Sequence, residues 1–119
     1  MLRNRQDTGF LTDFVRRLPP ECDSLFCYSD EIAYWLIKEL SYAGISVPDR
    51  LSVVSFDNSY LCSLSSPPIS SLGLSLHEPG YTLGNMIIDI LHEKRVENKT
   101  LPWKLSPRNS VLSLNTNYF

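Results

Sequence analysis

The run Leu51-Ser52-Val53-Val54-Ser55-Phe56 narrows the folds open to this chain more than any other stretch. Its β-branched and apolar side chains suit a central strand of a parallel sheet. Upstream, Ser24-Leu25-Phe26-Cys27-Tyr28 is a second short apolar run that suits a buried strand. Between the two, Ser29 stands as an N-cap, with Asp30 and Glu31 in a first helical turn, where the helix dipole favours negative charge. The helix that follows extends to about Ala43, with Gly44 placed as the C′ residue that ends it. Strand, helix and strand make a βαβ unit, so the expected class is α/β: a three-layer, mostly parallel sheet flanked by helices.

The flanking segments extend this pattern. Phe10, Leu11, Phe14, Val15 and Leu18 recur at helical spacing before the stop at Pro19-Pro20. A short, helix-like segment around Tyr60 to Leu64 precedes Pro67-Pro68, and Ile69 to Leu76 reads as another strand entered at the prolines. His77-Glu78-Pro79-Gly80 opens a further helix, with Leu83, Met86, Ile87, Ile90 and Leu91 on one face. It ends in the charged run His92 to Arg95, and the tail from Leu101 to Val111 is expected to be extended. The central helix carries Ile32, Ala33, Leu36, Ile37 and Leu40 as one stripe, with Tyr34, Trp35 and Tyr42 outside or beside it. One of its faces is therefore expected to meet something other than its own sheet.

Composition removes several function classes. Across 119 residues, 11 Lys and Arg against 13 Asp and Glu leave a net charge of −2, far from the basic footprint that phosphate neutralisation requires. Cys22, Cys27 and Cys62 form no CxxC pair, and no His/Cys cluster has metal-ligand spacing, so reduced thiols, no metal and no cofactor are expected. No apolar run approaches the roughly 18 residues that span a bilayer, and the first ten residues lack a signal-peptide core, so a cytoplasmic location and no membrane partner are expected. The carboxylates lack a nucleophile elbow, a phosphate-binding glycine loop or a metal cluster beside them, so no enzyme activity is expected. His77 and His92 stand at opposite ends of one helix, about 22 Å apart at helical rise, too far to share a site.

Several motifs then occur in order. Ser29-Asp30-Glu31-Ile32-Ala33, followed by Gly44-Ile45-Ser46-Val47-Pro48-Asp49-Arg50 and the strand through Asp57-Asn58, resembles the "ND-x-x-A … G-x-x-VP-x-D-hydrophobic-SVVGFDD" segment of LacI/GalR-type transcription regulators. Asp57 stands 27 residues after Asp30, which fits that pattern without a gap. Pro67 to Ser71 resembles the family's "PPLTT", Gly80-Tyr81-Thr82-Leu83 its "G-x-x-A" helix, and Leu101 to Val111 its closing "LP-x-x-L-x-x-R-x-S". Departures are Ser29 for Asn, Ser55 for Gly, Asn58 for the second Asp, Ser70 and Ser71 for Thr, and Leu74 where many members place a polar side chain.

The resemblance implies the C-terminal part of a sugar-sensing effector domain, an incomplete periplasmic-binding-protein-like fold. Residues 1–75 would form the C-terminal lobe, 76–102 a crossover helix belonging to a second, N-terminal lobe, and 103–119 a tail returning to the first. The ligand would be a sugar or sugar derivative, lined by Asp57 and Asp30 with Ser29 and Asn58 beside them, at the carboxyl edge of the sheet. Tyr34 and Trp35 would lie in a homodimer interface, and DNA would be reached only through a headpiece outside this chain. A periplasmic-type sugar-binding protein and a ligand-free interaction module are the alternatives. With the second lobe missing, the helix from about Glu78 is expected to dock on its own sheet or to pair with a second copy.

Overall fold

The computed structural model describes residues 9–75 and 77–112. Parts of the expected lobe (1–8), third strand (Leu76) and tail (113–119) lie outside them.

The chain begins with helix α1, Gly9–Arg16, which buries Leu11 and Val15. Strand β1 spans Ser24–Phe26 and helix α2 spans Asp30–Tyr42. The sequence signals that bound α2 act as expected: the Ser29 hydroxyl accepts from the Ile32 amide, and Gly44 turns the chain at a φ of 74°. Strand β2 follows at Ser52–Phe56, the one-turn helix α3 at Leu61–Leu64, and strand β3 at Ser70–Gly73. Helix α4 covers Glu78–Leu91 and strand β4 Lys104–Ser106.

The four strands lie in sequence order, β1-β2-β3-β4. The first three are parallel and β4 is antiparallel to β3, so the sheet is mixed but mostly parallel. Period-two alternation sends Val53 and Ser55 of β2 to one face, where both are fully buried. Helix α2 covers that face with Ala33, Leu36, Ile37 and Leu40, and α1 packs on α2. Ser52, Val54 and Phe56 on the other face are half-buried. Cys27 and Cys62 sit inside the core, where burial pushes each thiol up to about 11, so neither is a thiolate at neutral pH.

The segment from Arg108 to Leu112, the C-terminal strap, is bonded to β2 and to the start of β3. The Ser110 hydroxyl donates to the Val53 carbonyl and accepts from the Ser70 amide, while the Val53 amide donates to the Ser110 carbonyl at 2.8 Å. Arg108 and Ser70 exchange bonds both ways: the Arg108 amide donates to Ser70 Oγ at 2.8 Å, and that hydroxyl donates to the Arg108 carbonyl at 3.2 Å.

Of the two alternatives expected for helix α4, the first is corrected. Helix α4 does not dock on its own sheet: none of its residues is buried, and Leu83, Ile87 and Ile90 are 58%, 58% and 60% exposed. The reason is topological. Gly73 at the end of β3 pairs with Lys104 at the start of β4, so the excursion between them leaves and returns at one point of the sheet. Helix α4 projects from that point, tethered at its start by Lys104 Nζ 3.7 Å from Glu78.

Candidate functional site

The carboxyl ends of β2 and β3 lie side by side, because Phe56 pairs with Leu72 and Ser55 with Ser71. Ligands collect at such edges, where strand ends meet helix N-termini. Two of the anticipated residues stand in the turn that leaves β2. Asp57 has a φ of 111° and Asn58 a φ of 56°, consecutive left-handed positions that side chains other than glycine rarely take and that Asn and Asp tolerate best.

The turn is held from below by backbone donors. The Asp57 amide donates to the Leu72 carbonyl at 2.7 Å, and the Asn58 amide to Ser71 Oγ at 3.0 Å. Gly73 makes the fit possible. A Cβ at that position would lie 2.5 Å from Asn58 Cβ and 2.6 Å from the Asp57 carbonyl oxygen.

Asp30 lies inside the protein at 1% exposure. Its carboxylate accepts from the hydroxyls of Ser55 and Ser71, the latter at 2.7 Å, and from the Ser59 amide. Burial works against the charged form, but the hydrogen bonds from Ser55, Ser59, Ser71 and Cys62 outweigh it and hold the carboxyl below the usual 3.8. One buried anion thus ties the first turn of α2 to β2, β3 and the turn after Asn58. Ser71 relays the tie, accepting from the Asn58 amide while donating to Asp30.

Asp57 is exposed. Partial burial, with repulsion from Asp30, raises its carboxyl above the usual 3.8. It borders a hollow of about 260 Å³ whose other walls are Leu74, Ser75, Pro79 and Trp103. The Trp103 ring rests on Phe56, with centroids 4.4 Å apart and planes at 40°. An exposed acceptor beside an indole and two aliphatic walls is suited to a small molecule with paired hydroxyls and an apolar face.

The four anticipated ligand residues therefore gather at one edge but in different settings. Ser29 is half-buried and its hydroxyl caps α2, Asp30 is consumed by internal donors, Asn58 is half-buried, and Asp57 is open. Tyr34 and Trp35 lie further along α2, half-buried, their rings edge to face at 5.5 Å with Lys38 Nζ over both at 4.3 and 4.7 Å. Residues not singled out from the sequence are Ser55 and Ser71 as donors, Gly73, Trp103 and Arg108. The register that pairs Ser55 with Ser71 was the missing signal for the first two, since a lone serine in an apolar strand has many readings. Among the described residues, no group of three His, Cys, Asp or Glu could hold a metal ion, and no helix is long and apolar enough to cross a membrane.

Comparison with known proteins identifies the fold. The family of periplasmic binding protein-like domains matches residues 3–111, and the chain belongs to that family. Solved transcription regulators of the LacI family share this fold. It is 32% identical over 116 residues to the HTH-type transcriptional repressor PurR of Vibrio parahaemolyticus, covering 92% of this chain and 34% of the repressor. The PurR repressor of Photobacterium profundum is 40% identical over 76 residues, 64% of this chain and 21% of that protein. Among solved structures, a LacI family transcriptional regulator from Enterococcus faecium with bound ribose aligns with a TM-score of 0.77 at 27% identity. That alignment covers 92% of this chain and 41% of the regulator. A LacI family regulator from Arthrobacter sp. FB24, in complex with lactose, aligns with a TM-score of 0.77 at 28% identity, covering 86% of this chain and 39% of that one. The chain spans about a third of the length of the V. parahaemolyticus repressor and about two fifths of the two regulators.

Proposed function

We propose that this chain forms one wall of the effector cleft of a ligand-responsive transcription regulator, and that the ligand is a sugar or sugar derivative. The observation that carries the reading is the exposed Asp57 carboxylate on a left-handed turn at the sheet's carboxyl edge, beside the hollow walled by Leu74 and Trp103. Asp57 accepts two ligand hydroxyls, Trp103 offers its ring to the ligand's apolar face, and Ser29 and Asn58 flank the acceptor. Asp30 serves from behind, holding the turn in place. No bond is made or broken in this scheme, in keeping with relatives that are named as repressors.

In the same reading, residues 1–75 and 103–119 belong to one lobe, and α4 lies against a second lobe that completes the cleft. The exposed apolar residues of α4 support this, since burying such side chains contributes about 1.5–3 kcal/mol each. Effector binding closes the lobes and shifts how a DNA-binding headpiece sits on its operator. The protein works in the cytoplasm.

The test is a thermal-shift panel of pentoses, hexoses and disaccharides on the polypeptide that joins this chain to its second lobe, followed by calorimetric titration. At least one sugar is expected to raise Tm, and Asp57→Asn to weaken its binding about 10- to 100-fold, the worth of a charge-assisted hydrogen bond. The folded state holds Asp57 with a raised pKa, so at neutral pH its charge opposes folding. The Asp57→Asn variant should therefore be at least as stable as the parent while binding less well. A panel in which no sugar moves Tm would overturn the reading.

Dimerisation through α2 completes the proposal, with Tyr34 and Trp35 as its anchors, because aromatic side chains beside a cation carry large shares of interface energy. Trp35→Ala should shift the sedimentation equilibrium from dimer toward monomer, weakening association by roughly 30-fold or more. An unchanged dimer constant would remove Trp35 from the interface.

A further inference from the structure

The turn that presents Asp57 is tied through its backbone to Leu72, Ser71 and Asp30, but one side-chain tie comes from far along the sequence. Arg108 Nη2 donates to Asn58 Oδ1 at 2.8 Å across 50 residues. The other arm of the guanidinium, Nη1, donates to the Ile69 carbonyl at 2.8 Å, at the entry to β3. The planar fork thus spans the start of β3 and the turn after β2, a geometry that Arg holds and a flexible ammonium does not. Arg108 is itself fixed by its two-way exchange with Ser70, and the next residues are locked by the Asn109 amide on the Pro68 carbonyl and by Ser110 on Val53.

We infer that Arg108 is a positioning residue for the effector turn: the C-terminal strap sets the conformation in which Asp57 is presented, so that strap docking and ligand affinity rise and fall together. Two consecutive residues at positive φ are a costly conformation that persists only while surrounding contacts hold it. Release of Asn58 Oδ1 frees the turn to relax while the backbone bonds beneath it open. Asp57 would then sample several orientations, and binding would carry the cost of selecting one. The identity of the ligand acceptor rests on the function proposed above; the control of the turn by Arg108 does not.

Amide hydrogen exchange in the full chain tests this without any ligand. In Arg108→Met, the amides of Asp57, Asn58 and Ser59 should exchange about tenfold faster or more, while those of Ala33 to Leu40 in α2 keep their rates. Arg108→Lys, which keeps the charge but not the fork, should fall between. Asn58→Asp should slow exchange at the turn, because a carboxylate accepts more strongly from a guanidinium than an amide does, and the gain should vanish when combined with Arg108→Met. Unchanged rates at Asp57 to Ser59, or an equal acceleration throughout α2, would overturn the inference. In the sugar-binding polypeptide, Arg108→Met should also weaken the sugar that Asp57 binds. If no sugar binds even the parent, the effector reading fails while the exchange result still decides the role of Arg108.

Discussion

Gly73→Ala is expected to lower the unfolding free energy by about 3 kcal/mol, at the upper end of the range for overpacking a closed site. The new methyl would sit 2.5 Å from Asn58 Cβ, 2.6 Å from the Asp57 carbonyl oxygen and 2.8 Å from its carbon. None of these atoms is the free end of a flexible side chain, so nothing can swing aside. Retreat is closed on both sides. Gly73 is held in β3 against Lys104, and the Asp57 amide is bonded to the Leu72 carbonyl next to it. Urea unfolding should show a midpoint roughly 1–2 M lower with an unchanged slope. A loss below about 1 kcal/mol would mean that the turn rides clear of the strand and that its conformation has another source.

Asp30→Ala should be at least as damaging. It leaves the buried hydroxyls of Ser55 and Ser71 and the Ser59 amide without their shared acceptor. Hydrogen bonds to a charged group contribute about 1.5–3 kcal/mol each, and donors that share one acceptor do not add in full, so a total of about 3–5 kcal/mol is expected. Asp30→Asn, which keeps one oxygen, should recover a sizeable part.

The acid limb of stability carries the same signature. The Asp30 carboxyl titrates below 3.8 in the folded protein, so its contribution is complete above the ordinary aspartate value and drains away as pH falls through the lower, folded one. Unfolding followed from about pH 6 to about pH 2 should steepen in that window in the parent and lose that step in Asp30→Asn. Parallel curves for the two proteins would mean that the buried carboxylate is not the group that titrates.

Much of the architecture was legible in advance, for local reasons. The α2 boundaries follow from Ser29 and Gly44, whose cap and left-handed turn are properties of a few neighbouring residues. The parallel pairing of β1 with β2 follows from the helix between them, since a parallel neighbour needs a crossover of about that length. The strand ends were overread: Ile69 to Leu76 was expected to be extended, whereas β3 stops at Gly73. Nothing in the apolar character of Leu74 announces the stop; the β4 partner runs out at Lys104 opposite Gly73.

The site was legible as a neighbourhood and not as a division of labour. Asp30 and Asp57 were both placed at the carboxyl edge of the sheet because each follows a strand. Which carboxylate faces inward depends on Ser55 and Ser71 standing side by side, a register between strands whose pairing brings together residues 16 positions apart in the chain. Arg108 was visible only as one letter of a closing motif, and its contact spans 50 residues.

Period, caps and composition were thus enough to place helices, strands and a mostly parallel sheet, because those features depend on residues a few positions apart. The buried acid, the glycine that admits a left-handed turn and the arginine that reaches it from the strap depend on distances closed only when the sheet assembles. Long-range packing alone decides which of two similar carboxylates is buried among donors and which is left exposed.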